Sequence, residues 1–239
     1  MWVLVGVAIE VIALVGVLSV VATRRTQVAF ALGFNAMAVV TGIFLWHVGF
    51  GVHAVVVLGM VVVYLVRMNW VLVAWSGQTA LRKLDDHTSS VAKWVLPVIV
   101  TNTVGWAYCL PLYFAVRRTG PLEPADWVGI GLYLVGTVVH FGADAQKRRF
   151  KMRPGSEGRL LDTGFWALCR HPNYFGDFLI YVSFAVIGHS VWGWVAPLLN
   201  VLQYVFDAIP KNEQWAAERY GAAWESYRAR VKAFVPYVV

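Results

Sequence analysis

Charge is what this sequence has least of. Of its 239 residues only 14% are charged, against about 25% in ordinary soluble domains, while 59% are hydrophobic. That balance excludes a soluble globule, and it excludes a disordered chain, whose composition runs the other way. Cysteine is nearly absent. Cys109 stands inside an apolar run and Cys169 in a basic stretch, so neither a disulfide framework nor a thiolate metal site is indicated. Also missing are the alternating segments of about ten residues that build an outer-membrane barrel.

Long apolar runs take their place. The mean hydropathy is +0.62, and several runs can cross ~30 Å of hydrocarbon at ~1.5 Å per residue. The fold class this predicts is all-α: a polytopic integral membrane protein with seven transmembrane helices, a cytoplasmic loop and an amphipathic C-terminal tail. The spans fall at about 2–22, 28–46, 51–75, 92–116, 127–145, 173–189 and 191–208. The first lacks a basic leader and a small-residue cleavage site, so it is expected to be retained. The last two, joined at His189 and Ser190, are expected to form a tight hairpin whose second helix stops near Pro210.

The net charge of +7, from 20 basic and 13 acidic residues, suits either nucleic acid or the positive-inside bias of a membrane protein. Position decides. Seven spans put Arg24, Arg25, Arg82, Lys83, Lys93, Lys147, Arg148, Arg149, Lys151, Arg153, Arg159, Arg170, Lys211, Arg219, Arg228, Arg230 and Lys232 on one side, 17 of the 20. The other side holds Arg117 and Arg118, and Arg67 lies within a span. The N-terminus is thus expected outside and the C-terminus in the cytoplasm, as in a bacterial inner membrane, with no nucleic-acid partner.

The densest polar stretches are Asp144–Ala–Gln–Lys–Arg–Arg–Phe–Lys151 and Arg170–His–Pro–Asn–Tyr–Phe–Gly–Asp177, each abutting a span. Arg148, Arg149 and Lys151, with Arg159 and Arg170, suit phosphate oxygens and so a polyanionic cofactor. Gly129 and Gly131 form a lone Gly-x-Gly inside a span, without the strand–turn–helix of a dinucleotide fold. Counting ~1.5 Å per residue from the cytoplasmic ends places Asn35 about 10 Å deep, Tyr64 about 16 Å, Arg67 about 12 Å, Asn102 about 15 Å and His140 about 7 Å. Four spans thus set polar groups in one layer, which fits either a cavity or separate interhelical hydrogen bonds. The tail aromatics Trp215, Tyr220, Trp224 and Tyr227 suit an interfacial anchor as well as a ligand wall. His140, Asp144 and His171 lack any metal-ligand spacing.

These two motifs, with Tyr220–Gly221, Tyr227 and the terminal Phe–Val–Pro–Tyr, resemble the steroid 5α-reductase (3-oxo-5-alpha-steroid 4-dehydrogenase) C-terminal superfamily, most closely over residues 136–239 and barely over 1–50. The resemblance implies a membrane enzyme that uses NADPH to reduce a C=C bond conjugated to a carbonyl in a lipid-soluble substrate such as a 3-oxo-Δ4 steroid. It implies one membrane domain, with spans 1–4 (1–116) toward substrate and 117–239 holding the cofactor. His140, Asp144, Arg148, Lys151, Arg159, Asn173 and Asp177 would line the cofactor pocket, joined by Arg170, His171 and Glu213. Tyr64 aligns with the substrate-activating tyrosine. The glutamate that partners it in steroid-reducing members has no acidic counterpart in span 2, where Asn35 is the nearest replacement by depth. Asn102 and Tyr174 would face substrate.

Three other readings stay open: an S-adenosylmethionine-dependent membrane methyltransferase of the isoprenylcysteine carboxyl methyltransferase type, a sterol C14 or C7 double-bond reductase, and a lipid-binding protein without catalysis. The cationic Asp144–Lys151 segment discriminates, because a sulfonium donor carries no phosphate. The charge asymmetry yields its own test. Reporters fused at Val239 and at Gly120 should read opposite compartments, and a shared compartment refutes the seven-span topology.

Overall fold

The computed structural model describes residues 1–75 and 90–238, and every described element is helical. Arg82 and Lys83, counted above in a basic loop, lie outside the described residues. The chain divides into two compact units: Met1–Asp126 with Phe184–Ala196, and Trp127–Ser183 with Pro197–Val239.

The first unit contains α1 (Trp2–Thr23), α2 (Gln27–Val48), α3 (Val52–Trp75), α4 (Ser90–Asn102), a π-helical turn at Thr103–Tyr108 and α5 (Leu110–Val116). Helix α1 packs on α2 and α4 through Val5, Ile9, Ala13, Gly16 and Val20, spaced at three and four residues as one helical face requires. On its other side Val3, Val7, Leu14 and Leu18 are exposed. An apolar exterior of this kind is unstable in water and ordinary in lipid. At one end Asp126 is fully buried and accepts hydrogen bonds from His53 Nε2 at 3.0 Å, the Glu123 N–H at 2.8 Å and Arg118. Arg118 also pairs with Glu123 at 3.1 Å and donates to the Ile187 carbonyl at 3.0 Å.

The second unit is built on α6 (Pro124–Lys151, from Trp127 onward), a short α7 (Phe165–Leu168), α8 (Pro172–Gly188, up to Ser183), α9 (Val195–Gln203, from Pro197), a π-helical turn at Tyr204–Ala208, α10 (Ile209–Tyr220) and α11 (Ala222–Arg230). The chain does not stop near Pro210 as expected. The π turn widens the backbone just before it, and Pro210 falls in the first turn of α10, where its missing N–H leaves no hydrogen bond unmade. Gly221, at φ 51°, then separates α10 from α11.

Five helices among the described residues are long and apolar enough to cross a membrane: Trp2–Thr23, Gln27–Val48, Val52–Leu72, Lys93–Val116 and Pro124–Lys151. The sixth and seventh expected spans correspond to α8, which has 17 residues, and to a composite of a 3₁₀ turn (Val191–Trp194), α9 and the π turn. At ~1.5 Å per residue α8 extends about 26 Å, less than the ~30 Å of an average hydrocarbon core.

Helices α6 and α8 touch through glycine. A Cβ on Gly136 would lie 2.7 Å from the Gly176 carbonyl oxygen and 3.0 Å from the Ile180 nitrogen, backbone atoms with no rotamer to yield. Gly136→Ala should therefore force the helices apart and destabilise the protein by about 1–3 kcal/mol, the range for overpacking. Thermal unfolding in detergent checks this, and an unchanged midpoint would refute the contact.

Candidate functional site

The polar residues of α6 fall on two faces. His140, Asp144, Lys147 and Lys151 follow one another at three or four residues, Arg148 lies four after Asp144 and three before Lys151, and all five share one face. Gly142, Gln146 and Arg149 line, with Phe165 and with Arg153 just beyond the helix, a cavity of about 490 Å³ on another. Arg149 is thereby separated from the cations grouped with it by sequence.

On the first face His140 lies 3.9 Å from Asp144 and, through Nδ1, 3.7 Å from Asp177. Asp177 is buried and accepts hydrogen bonds from Asn200 at 3.0 Å and from the Tyr204 hydroxyl at 2.6 Å. Tyr204 stacks on Tyr174 with ring centroids 4.3 Å apart, and Tyr174 stacks on His171 at 5.4 Å. Asn212 donates to the Tyr174 hydroxyl at 2.9 Å. His171 reaches Glu213 at 3.4 Å, and Glu213 is held by Arg170 at 2.7 Å. One continuous path of polar and aromatic groups thus joins His140 to Glu213.

Arg170 fixes the far end of that path. Its N–H donates to the Lys232 carbonyl at 2.8 Å, the His171 N–H to Ala233 at 3.0 Å, and the guanidinium to the Arg228 and Val231 carbonyls. Behind it Trp224, Tyr227 and Val231 form a small core with Leu160, and the Tyr227 hydroxyl donates to the Trp166 carbonyl at 2.5 Å. The tail aromatics Trp224 and Tyr227 are interior packing, while Trp215 is exposed. Lys147 lies 4.6 Å over the Trp166 ring, whose indole N–H is held by the Ala143 carbonyl.

Two polar atoms beside Asp177 are buried without a hydrogen bond, His140 Nδ1 and Asn200 Oδ1. Unmade bonds of this sort are rare in interiors, where an ordered water, an ion or a ligand usually completes them. The Asn173 amide is half-buried and makes no described hydrogen bond. Arg159 is exposed in the loop after α6. In the first unit Tyr64 is 1% exposed within α3. Asn35 gives both amide hydrogens away, to the Ala31 carbonyl at 2.7 Å and to Asn69 Oδ1 at 2.8 Å, and accepts from Asn69 in return. Asn102 bonds back to Val98 of its own helix at 3.1 Å.

A family model described as "Protein of unknown function (DUF1295)" matches residues 16–231. The chain belongs to the DUF1295 family. The DUF1295 chain is 25% identical over 232 residues to the Delta(14)-sterol reductase erg24 of Schizosaccharomyces pombe, taking in 82% of this chain and 52% of that protein. It is 28% identical over 168 residues to the Delta(14)-sterol reductase TM7SF2 of Mus musculus (59% and 38%). To the Delta(14)-sterol reductase of Methylotuvimicrobium alcaliphilum it is 26% identical over 144 residues (53% and 33%). The aligned part thus spans between 33% and 52% of the length of these three relatives. With five helices among the described residues long and apolar enough to cross a membrane, the DUF1295 chain is an integral membrane protein.

Sequence reading of this DUF1295 member missed Asn200, Tyr204, Asn212 and Trp166. Asn200 and Tyr204 were legible in principle, as two polar groups four residues apart in an apolar run.

The Arg170–Glu213–His171 cluster makes stability depend on pH. Burial holds His171 below its ordinary 6.5, Lys147 and Arg170 act in the same direction, and Glu213 opposes them. Burial raises Glu213, but hydrogen bonds from His171 and Arg170 and the charge of Arg170 leave it below its ordinary 4.5. Both groups bind protons more readily unfolded than folded. Their contributions are whole above 6.5 and 4.5 respectively and are lost as pH falls through each folded value. Melting in detergent from about pH 8 to about pH 4 should therefore show a midpoint falling below pH 6.5. His171→Gln should remove the first part of that fall, and a flat wild-type profile would contradict the account.

Proposed function

We propose that this protein is an NADPH-dependent reductase of a carbon–carbon double bond in a sterol- or steroid-like lipid, a seven-span membrane protein with its N-terminus outside and its C-terminus and cofactor site in the cytoplasm. One juxtaposition carries the reading: the unfilled hydrogen-bonding atoms His140 Nδ1 and Asn200 Oδ1 beside Asp177, on the same face of α6 as Lys147, Arg148 and Lys151. The similarity to Delta(14)-sterol reductases supports it over methyl transfer.

The residues present suit the cofactor. Arg148, Lys151 and Arg159 supply guanidinium and ammonium groups for the phosphates, and Asn173, His140 and Asp177 supply the amide, imidazole and carboxylate that a nicotinamide or ribose needs. Arg170, His171 and Glu213 position that set from below. When bound, NADPH supplies a hydride. The chain's own task is the proton and the developing charge. For a substrate whose double bond is conjugated to a carbonyl, such as a 3-oxo-Δ4 steroid, negative charge grows on the carbonyl oxygen and needs a hydrogen-bond donor. Tyr64 is that donor in this reading, buried in α3 where such a bond is least weakened by water. Asn35, committed to Asn69, holds α2 against α3. Asn102 and Tyr174 are proposed to bound the substrate. For a sterol double bond without a conjugated carbonyl the demand is different: a proton must be delivered to carbon before hydride arrives.

Purified protein should bind NADPH and not S-adenosylmethionine. Lys151→Ala or Arg148→Ala should weaken NADPH by about 1.5–3 kcal/mol and NADH by less, the range for hydrogen bonds to charged groups. Tyr64→Phe should leave NADPH affinity unchanged and lower single-turnover reduction of an enone by about 10²–10³. If sterol dienes are reduced and enones are not, the sterol double-bond activity stands and the 3-oxo-Δ4 substrate falls. Binding of S-adenosylmethionine alone refutes the reading.

A further inference from the structure

The anomaly in the first unit is Glu10. It stands in the middle of α1, it is the one acidic residue among residues 1–84, and it is exposed on the apolar side of the helix. It has no hydrogen bond or ion pair among the described residues. A carboxyl at this depth in hydrocarbon is expensive unless a polar partner meets it. Nothing in α1's own packed face serves, because that face is Val5, Ile9, Ala13, Gly16 and Val20.

The surroundings of Glu10 describe what would cover it. An open, shallow strip of surface runs along Gly6, Val7, Glu10, Val11 and Leu14. All five belong to one helix and cover two turns, so the strip is open along its length and offers a helix face to another rod, whereas a compact ligand would be enclosed from several elements. Exposed residues along it recur as Val3, Val7, Glu10, Leu14 and Val21, spacings of four, three, four and seven, which is the heptad seam of a left-handed helix pair. The single polar group occupies a seam position, where such a residue sets partner and register.

We infer that α1 pairs with α1 of a second copy of this chain, with Glu10 facing Glu10. Two copies insert in the same orientation, so their α1 helices run parallel and the two carboxyls meet at equal depth. A neutral carboxylic acid donates through its hydroxyl and accepts through its carbonyl. Its own duplicate is therefore a complete complement, and the pair satisfies both groups without any other residue.

The test is self-association of the full-length protein in lipid vesicles, measured across protein-to-lipid ratios. Glu10→Leu, which adds no polar group to the membrane and leaves the packed face of α1 intact, should weaken association about tenfold or more. Glu10→Gln keeps a donor and an acceptor in the same volume and should associate nearly as well as wild type. Oxidative cross-linking in vesicles reads the interface directly: Val7→Cys and Leu14→Cys should form dimers, while Val15→Cys, exposed but about 100° round the helix, should not. Native Cys109 and Cys169 are fully buried and leave the wild type as a blank. A wild type that stays monomeric at every ratio, equal association of Glu10→Leu and wild type, or cross-linking as strong at position 15 as at 7 and 14 would each overturn the inference.

Discussion

The second unit depends on how Arg170 is tied down. A single residue bonds through its backbone to Lys232 and through its guanidinium to Glu213 and to two carbonyls of the chain end. That bidentate and backbone grip places Glu213 against His171, and His171 begins the ring stack that ends at Asp177. Removing the guanidinium would leave Glu213 a half-buried carboxylate with only a weakly basic imidazole beside it, so tail, stack and site would loosen together. A cluster that looks electrostatic in sequence is therefore structural in its effect, and the orphaned atoms near His140 lie at the end of the chain it holds.

Much of this was legible in the sequence, for identifiable reasons. Apolar length revealed the first five spanning helices because a membrane span needs nothing but length and composition. The Arg170–Asp177 stretch stood out because polar groups beside a span must have partners, and Arg170, His171 and Asp177 each have them. What escaped was direction. Arg148, Arg149 and Lys151 are adjacent in sequence, yet Arg149 points with Gln146 into the cavity beside Phe165, away from Asp144. Asn35 was placed by depth alone, and depth carries no sign of the reciprocal amide pair with Asn69 that occupies it. Pro210 suggested a helix end because the widened π turn that accommodates it leaves no mark in the sequence.

The same logic explains why the Glu123–Asp126–His189 cluster of the first unit is no metal centre in waiting. Glu123, Asp126 and His189 bring ligand atoms within 4.8 Å of one another. Arg118 bonds to both carboxylates, so the positive charge that a cation would supply is already present as a guanidinium. The cluster ties the start of α3, the loop before α6 and the Ile187 carbonyl into one end of the unit.

Set beside that cluster, Glu10 is the exception that gives the membrane face its meaning. Asp126 and Asp177, both buried, each have two or more donors supplied from within their own unit. This chain thus satisfies its interior carboxylates internally, as a low dielectric demands. Glu10 follows the opposite pattern: it is turned outward, on the side of α1 that leaves Val7 and Leu14 exposed. In water an outward carboxylate needs no explanation, because solvent completes it. In lipid there is no such solvent, and the completing group has to come from another molecule whose surface matches a helical seam.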